Sequence, residues 1–239
     1  MALTPRSRKK GRGPKLLARQ TQLRQDIVHV GHLLHQRHLV AATDGNISAR
    51  LTDDRLLITP SGLNKGFLQE SDILTVDLNG KVIQGEGRPS SEIQMHLTAY
   101  CQRPDIGAVV HAHPPLATAC SIAGVSLESG VLPEVIITLG AIPTAPYATP
   151  GTAAVSQSIQ ELIRYYDAII LAQHGGLTVG RNLTEAYNRM EKLEHAALIM
   201  VTARQLGRLQ PLPAAEVEKL TRLGIEHGCR PPEARNLLK

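Results

Sequence analysis

The chain has 239 residues, enough for one well-cored domain or two small ones. No apolar run approaches the roughly 20 residues a membrane span needs, and the basic opening lacks the apolar segment of a secretory leader, which predicts a cytoplasmic protein without a membrane partner. The formal charge of +5 does not define a nucleic-acid binder, because Arg6, Arg8, Lys9, Lys10, Arg12 and Lys15 share one tail, the rest is near neutral, and no Trp and a single Phe leave no stacking platforms.

Residues 1–15 read as a disordered basic tail, a solubilising extension or an RNA-touching arm. Leu17, Leu23, Ile27, Val30, Leu33 and Leu34 recur near helical period and predict an amphipathic helix over 16–38. Short β-rich runs follow at 47–51, 55–59, 73–77 and 81–84, punctuated by Asp53-Asp54 and Asn79-Gly80, the latter a hairpin signal. Ser90 and Ser91 precede a helical run over 92–101 as candidate N-caps, with Glu92 in its first turn. A strand over 108–113, a helix over 115–123 and a strand over 142–146 come next. A Pro-Gly turn at 147–152 leads to a helix over 153–165, a strand over 168–173 and a return strand at 177–179. The longest helix is expected over 184–206, closed by Gly207, and a last helix beyond 211. Hairpins mixed with helices imply a single α+β or α/β/α domain with a largely antiparallel sheet.

Cys101, Cys120 and Cys229 are odd in number, widely spaced and outside any C-x-x-C pair, as in a reducing compartment; Cys101 and Cys120 read as core fillers. The chemistry concentrates elsewhere. His111-Ala112-His113 ends a strand, and residues two apart on a strand share a face, so two imidazoles can converge on one metal ion. His174 ends a second apolar run. The competing reading is histidines held by hydrogen bonds in core or surface. Three further segments carry backbone amides and small hydroxyls: Asp44-Gly45-Asn46-Ile47-Ser48, Thr59-Pro60-Ser61-Gly62-Leu63 and Pro89-Ser90-Ser91-Glu92. Such groups cradle a phosphate or other anion, or are ordinary turns and caps. Beside a metal, Glu92 is a candidate acid/base or ligand; elsewhere it simply favours the helix dipole.

Gly45-Asn46-Ile47-Ser48, Ile58-Thr59-Pro60-Ser61-Gly62, Pro89-Ser90-Ser91-Glu92, Val109-Val110-His111-Ala112-His113, residues 145–152 and Ala172-Gln173-His174-Gly175 resemble, in this order, the class II aldolase/adducin family. The likeness is greatest to its fuculose-phosphate-aldolase branch and runs from the first helix to about Gly207. It implies a three-layer α/β/α sandwich with a central, mainly antiparallel sheet over 16–210, with 211–239 as a C-terminal helix and loose end of the same domain. It also implies a homotetramer with sites at subunit interfaces. By the same resemblance His111, His113 and His174 hold a zinc ion (another divalent metal being the variant), Glu92 is catalytic and can touch the metal, and Gly45, Asn46, Ser61, Gly62, Ser90 and Ser91 hold the phosphate of a sugar phosphate.

The implied reaction is cleavage of a phosphorylated ketose, like fuculose 1-phosphate, to dihydroxyacetone phosphate and an aldehyde, with zinc carrying the enediolate charge. Two departures matter. Gln173 replaces a histidine that often precedes the third ligand in that branch. No tyrosine stands near 132–137, where the branch carries one for proton transfer; Glu134 is the nearest replacement or merely a solvated charge. A same-fold decarboxylase or epimerase, and a non-catalytic adducin-like binding or assembly module, are the alternatives.

Overall fold

The computed structural model describes residues 13–128 and 130–229. The predicted tail therefore falls mostly outside the described residues, and the first helix, α1 (Pro14–Gln36), already includes its last two positions. Pro14 sits at the first helical position, where a missing N–H costs nothing.

Eight strands form one sheet in the order β4-β3-β2-β1-β5-β8-β7-β6: β1 (Asn46–Thr52), β2 (Arg55–Ile58), β3 (Leu74–Asp77), β4 (Val82–Gln84), β5 (Ala108–Ala112), β6 (Thr144–Ala145), β7 (Ala168–Leu171) and β8 (Gly175–Gly180). Every pairing is antiparallel except the short β6–β7 edge. Helices cover both faces, so the layers are α/β/α, as the resemblance implied.

Alternation along β5 decides what each face receives. Ala108, Val110 and Ala112 pack with Ile27, Val30 and Leu34 of α1 and with Ala186 and Met190 of α6 (Leu183–Leu206). Val109 points the other way, toward Met95, Ala99 and Tyr100 of α2 (Ile93–Gln102) and Ile159 of α5 (Ala153–Ile159). By the same period of two, His111 faces α2. A third cluster joins α3 (Pro115–Ile122), α4 (Pro133–Thr138), β7 and α6, and the final helix α7 (Ala214–Glu226) lies against α4. Asn182 caps α6, accepting the Glu185 N–H at 2.9 Å. Among the described residues no helix is long and apolar enough to cross a membrane.

Several expectations need correcting. Glu92 is not in the first turn of α2: it precedes the first helical residue, Ile93, and no side chain caps that end. The helix expected over 153–165 stops at Ile159, and a 3-10 turn, Leu162–Arg164, takes its last part. Helix α4 was not foreseen. Cys120 is buried but Cys101 is exposed, because Ala99 and Tyr100 already occupy the inward face of α2.

Candidate metal centre

The site assembles where β1, β5 and β8 end together. His111 is fully buried, and its Nδ1–H donates to the Gly176 carbonyl at 2.9 Å, so Nε2 faces the site. His113 lies just beyond β5; its Nδ1 is 3.4 Å from Asp44 Oδ2 and its Nε2 is 3.1 Å from His111 Nε2. His174 occupies the corner between β7 and β8. The three rings meet edge to face with centroids 4.8, 4.9 and 5.0 Å apart.

Glycines make this convergence possible. A Cβ on Gly175 would stand 2.4 Å from the Ala112 carbonyl oxygen and 2.9 Å from His113 Cδ2. Gly45 has φ +73°, and a Cβ there would meet Val40 at 2.7 Å and the His111 carbonyl at 2.9 Å. Gln173 adopts φ 57°, its side chain exposed and its N–H donating to Ser121 Oγ at 2.9 Å; this left-handed step turns His174 into the site.

Glu92 closes the fourth side. Its Oε2 accepts from Asn46 Nδ2 at 2.9 Å and lies 3.2 Å from His111 Nε2, while Oε1 lies 3.3 Å from His174 Nε2. Burial alone would raise the carboxyl, but the His111 imidazole, the Asn46 amide and His174 outweigh it and hold Glu92 well below the ordinary carboxylate range. Burial and then His111 lower His174 to about 4, and the same two causes lead for His113, also lowered. At neutral pH Glu92 is a carboxylate and His113 and His174 are uncharged, the forms that ligate metals.

The donor set fits a divalent cation. The candidate ligand atoms of His111, His113 and His174 all lie within 4.8 Å of one another. Tetrahedral zinc with N–Zn bonds of about 2.0–2.1 Å sets its nitrogens about 3.3 Å apart, close to the 3.1 Å between His111 and His113. Glu92 Oε1 is buried with no hydrogen-bond partner, an orphaned anionic atom at the imidazole cluster.

The anion-cradle segments come together at the rim. Pro60 and Pro89 form a bridge, and Ser61 N–H donates to the Arg88 carbonyl at 2.9 Å, so the Ser61-Gly62 and Ser90-Ser91 segments lie side by side. Ser61, Gly62 and Ser91 are exposed, Gly45 is half-buried, and Ser90 and Asn46 are buried. Asn46 presents its side chain inward, to Glu92, Ser90 and His96. Glu134 is not part of the cluster: it is exposed on α4, which packs on α7.

Sequence reasoning missed two participants. Lys65 is 1% exposed, and its Nζ donates to the Thr43 and Leu63 carbonyls at 2.8 and 2.6 Å, tying the Asp44–Asn46 turn to the Ser61-Gly62 turn. Burial, partly countered by Asp44, lowers it to about 8. His96, fully buried behind Asn46, is the other. It lies four residues after Glu92, on the same face of the chain entering α2, and that spacing was the available signal.

An α/β/α protein whose central strands end in three convergent imidazoles and a carboxylate belongs to a class defined by a metal-type centre at one end of the sheet. The Class II Aldolase and Adducin N-terminal domain family matches residues 25–201, and the chain belongs to that family. It is 39% identical over 173 residues to an L-fuculose phosphate aldolase of Methanococcus vannielii, covering 72% of this chain and 92% of that protein. It is 34% identical over 188 residues to a 3-oxo-tetronate 4-phosphate decarboxylase of Pectobacterium atrosepticum, covering 77% and 86%. The crystal structure of Klebsiella pneumoniae YgbL, assigned only as an aldolase, epimerase or decarboxylase, superposes with a TM-score of 0.77 at 35% identity, covering 84% and 98%.

Proposed function

We propose that this protein is a zinc-dependent lyase that cleaves a phosphorylated ketose, of the fuculose 1-phosphate kind, to dihydroxyacetone phosphate and an aldehyde. The observation that carries the reading is the convergence of His111, His113 and His174 on Glu92, whose buried Oε1 has no hydrogen-bond partner. The relative at 39% identity is a sugar-phosphate aldolase.

The three histidines would hold the ion, with Glu92 able to touch it. When bound, the ion supplies Lewis-acid charge stabilisation to the oxygens of a hydroxyketone. Gly45, Asn46, Ser61, Gly62, Ser90 and Ser91 bind the phosphate, chiefly through backbone amides and serine hydroxyls, and that grip orients the reacting carbons. Glu92 begins as carboxylate. It takes the proton of the C4 hydroxyl as the C3–C4 bond breaks and the aldehyde forms. The bond's electron pair stays on the three-carbon fragment, and Glu92 returns the proton to C3 to give dihydroxyacetone phosphate. By resemblance the working form is a cytoplasmic homotetramer with sites at subunit contacts, a mass that light scattering on purified protein reads directly.

A second reading is favoured by the decarboxylase relative and by the absence of tyrosine near Glu134: loss of CO₂ from a 3-oxo acid phosphate at the same centre. One screen separates the two. Zinc-reconstituted protein is incubated with ketose 1-phosphates and 3-oxo acid 4-phosphates, and triose phosphate and CO₂ are measured. Triose phosphate released with an aldehyde and without CO₂ from a ketose 1-phosphate, and lost on chelation and in His113→Ala, supports the aldolase; CO₂ released from a 3-oxo acid 4-phosphate, with the triose phosphate that a four-carbon acid leaves behind, assigns the decarboxylase. No turnover of any compound by protein holding one zinc per chain sinks both and leaves the adducin-like binding role. An adducin-like role predicts no need for the four site residues retained here.

A further inference from the structure

The two oxygens of Glu92 are not equivalent, and a buried chain of side chains explains why. Asn46 Nδ2 stands 2.9 Å from both Glu92 Oε2 and Ser90 Oγ, and Asn46 Oδ1 is 2.5 Å from His96 Nε2. On its other side His96 Nδ1 is 2.6 Å from Ser48 Oγ, which is 3.0 Å from the Tyr100 hydroxyl. We propose that His96 is a positioning residue: through Asn46 it fixes which Glu92 oxygen is held by a hydrogen bond and which remains open to exchange a proton. The task given to Glu92 rests on the function proposed above; the direction of the hydrogen bonds does not.

That direction follows from the donor inventory. A carboxylate only accepts, so Asn46 turns its NH₂ toward Glu92 and its carbonyl toward His96. A carbonyl only accepts, so His96 carries its hydrogen on Nε2. His96 is fully buried, and burial, reinforced by His111, lowers it to about 3, so the ring is neutral. Nδ1 is then a lone pair that accepts from Ser48, and Ser48 accepts from Tyr100. The alternatives fail: flipping Asn46 sets its carbonyl against the carboxylate, and reversing Ser48 requires a second proton on a buried imidazole.

Matching periods make the chain possible. Glu92, His96 and Tyr100 are four apart, about 6 Å per step along a helix. Asn46, Ser48 and Arg50 are two apart on β1, about 6.8 Å per step. The two rows interlock pair by pair, ending with the Arg50 guanidinium 4.8 Å over the Tyr100 ring.

Two consequences reach the reacting centre. Glu92 Oε2 is anchored, and Oε1 is the oxygen left to take and return the proton. Ser90 Oγ accepts from both Asn46 and the Glu92 N–H, the latter at 3.3 Å, so what it has left to offer a bound oxyanion is its own hydrogen.

Two measurements on zinc-loaded protein test this. In ¹⁵N-histidine NMR, His96 is expected as the neutral Nε2–H tautomer from pH 5 to 8; the Nδ1–H tautomer, or protonation in that window, overturns the proposal whether or not a substrate is known. On the compound found by the product screen, His96→Leu is expected to lower kcat about 10- to 100-fold, the usual loss when an outer-shell partner is removed, with KM within about threefold and one zinc per chain. His96→Gln, which keeps a donor toward Asn46, restores kcat to within about fivefold of the parent. Wild-type kcat in His96→Leu, or equal losses in the Leu and Gln variants, overturns it. Should His96→Leu fail to fold, Ser48→Ala removes the hydroxyl that fixes the ring, and kcat is expected to fall at least fivefold at unchanged KM; no fall overturns the proposal. Absence of turnover across the whole panel refutes the function instead, leaving the tautomer measurement decisive.

Discussion

Replacing Gly175 by alanine tests how tightly the metal-type centre is tied to the sheet. The backbone at Gly175 is not left-handed, so alanine meets no dihedral penalty and gains about 0.4–1 kcal/mol by narrowing the unfolded ensemble. Against this, its methyl would lie 2.4 Å from the Ala112 carbonyl oxygen and 2.9 Å from His113 Cδ2. Ala112 is fully buried and paired with Gly176 in the central ladder, so the strand cannot recede; the His113 ring, 27% exposed, is the part that can move. Overpacking of this kind costs about 1–3 kcal/mol, leaving a net loss of about 1–2 kcal/mol and a Tm lower by about 2–8 °C for a chain of this size. Because relief comes from turning His113 away from His111, zinc affinity is expected to fall about 10- to 100-fold, comparable with loss of an outer-shell partner. Gly62→Ala is the control: φ is +78° but nothing lies within 4 Å, so it loses about 1–2 kcal/mol of backbone energy and keeps its zinc affinity. Differential scanning calorimetry and competition titration with a chromogenic zinc chelator read both quantities. Unchanged zinc affinity in Gly175→Ala would refute the idea that this close approach sets the position of His113.

Other changes probe the scaffold. Asp167 is paired with Arg103 at 2.9 Å and Arg189 at 3.0 Å, its side chain 6% exposed; Asp167→Ala takes one carboxylate from each of the two guanidinium groups, which keep Asp105 and Glu185, and is expected to cost about 1.5–3 kcal/mol in urea unfolding, whereas Arg181→Ala, at a pair on the surface, is expected to leave the urea midpoint unchanged. Asn182→Ala removes the cap of α6 and should cost about 1 kcal/mol by the same measurement. His96 gives a pH dependence of defined sign. Its pKa is about 3 folded against 6.5 unfolded, so below pH 6.5 the unfolded chain binds a proton that the folded chain does not. Stability is therefore lost as pH falls from 6.5 toward 3, by up to about 1.4 kcal/mol per unit from this group, and His174, at about 4, acts in the same direction. Urea midpoints between pH 4 and 7 should show a shallower slope in His96→Gln than in the parent; equal slopes would contradict the buried neutral imidazole.

Where local pattern and burial coincide, sequence and structure agree. The apolar period over α1 follows from one buried face and the apolar run of β5 from burial of both, and both elements lie within a residue or two of expectation. Disagreement comes where tertiary contacts replace local ones. Ser90 has the chemistry of an N-cap for α2, but its oxygen is taken by Asn46, 44 residues away, and Glu92 is turned out of the helix toward the histidines. Helix α4 carried Pro133 at its start and Glu134 in its first turn, yet six residues are too few for a period to emerge, and its stability comes from α3, α6 and α7.

The site was legible in its reactive groups and not in what aims them. His111 and His113 share a strand face, so their convergence follows from a spacing of two. That Asn46 lies directly opposite His111 follows instead from the register between β1 and β5, set by pairs as distant as Ala49 and Ala108. That register places Asn46 between two anionic or polar claims, the Glu92 carboxylate and the Ser90 hydroxyl, and leaves its carbonyl to His96. Resemblance put Asn46 among the phosphate-holding residues, a role its side chain is already committed against. Its backbone lies in the ladder opposite His111, so the neighbouring Gly45 and the serines are left for an anion, while on the proposed reading its amide orders the acid/base. On that reading Asn46, which holds both Ser90 and Glu92, couples the proposed phosphate end of the site to the proposed proton-transfer end, and substitution of Asn46 by alanine should disturb kcat through Glu92 more than KM through the phosphate.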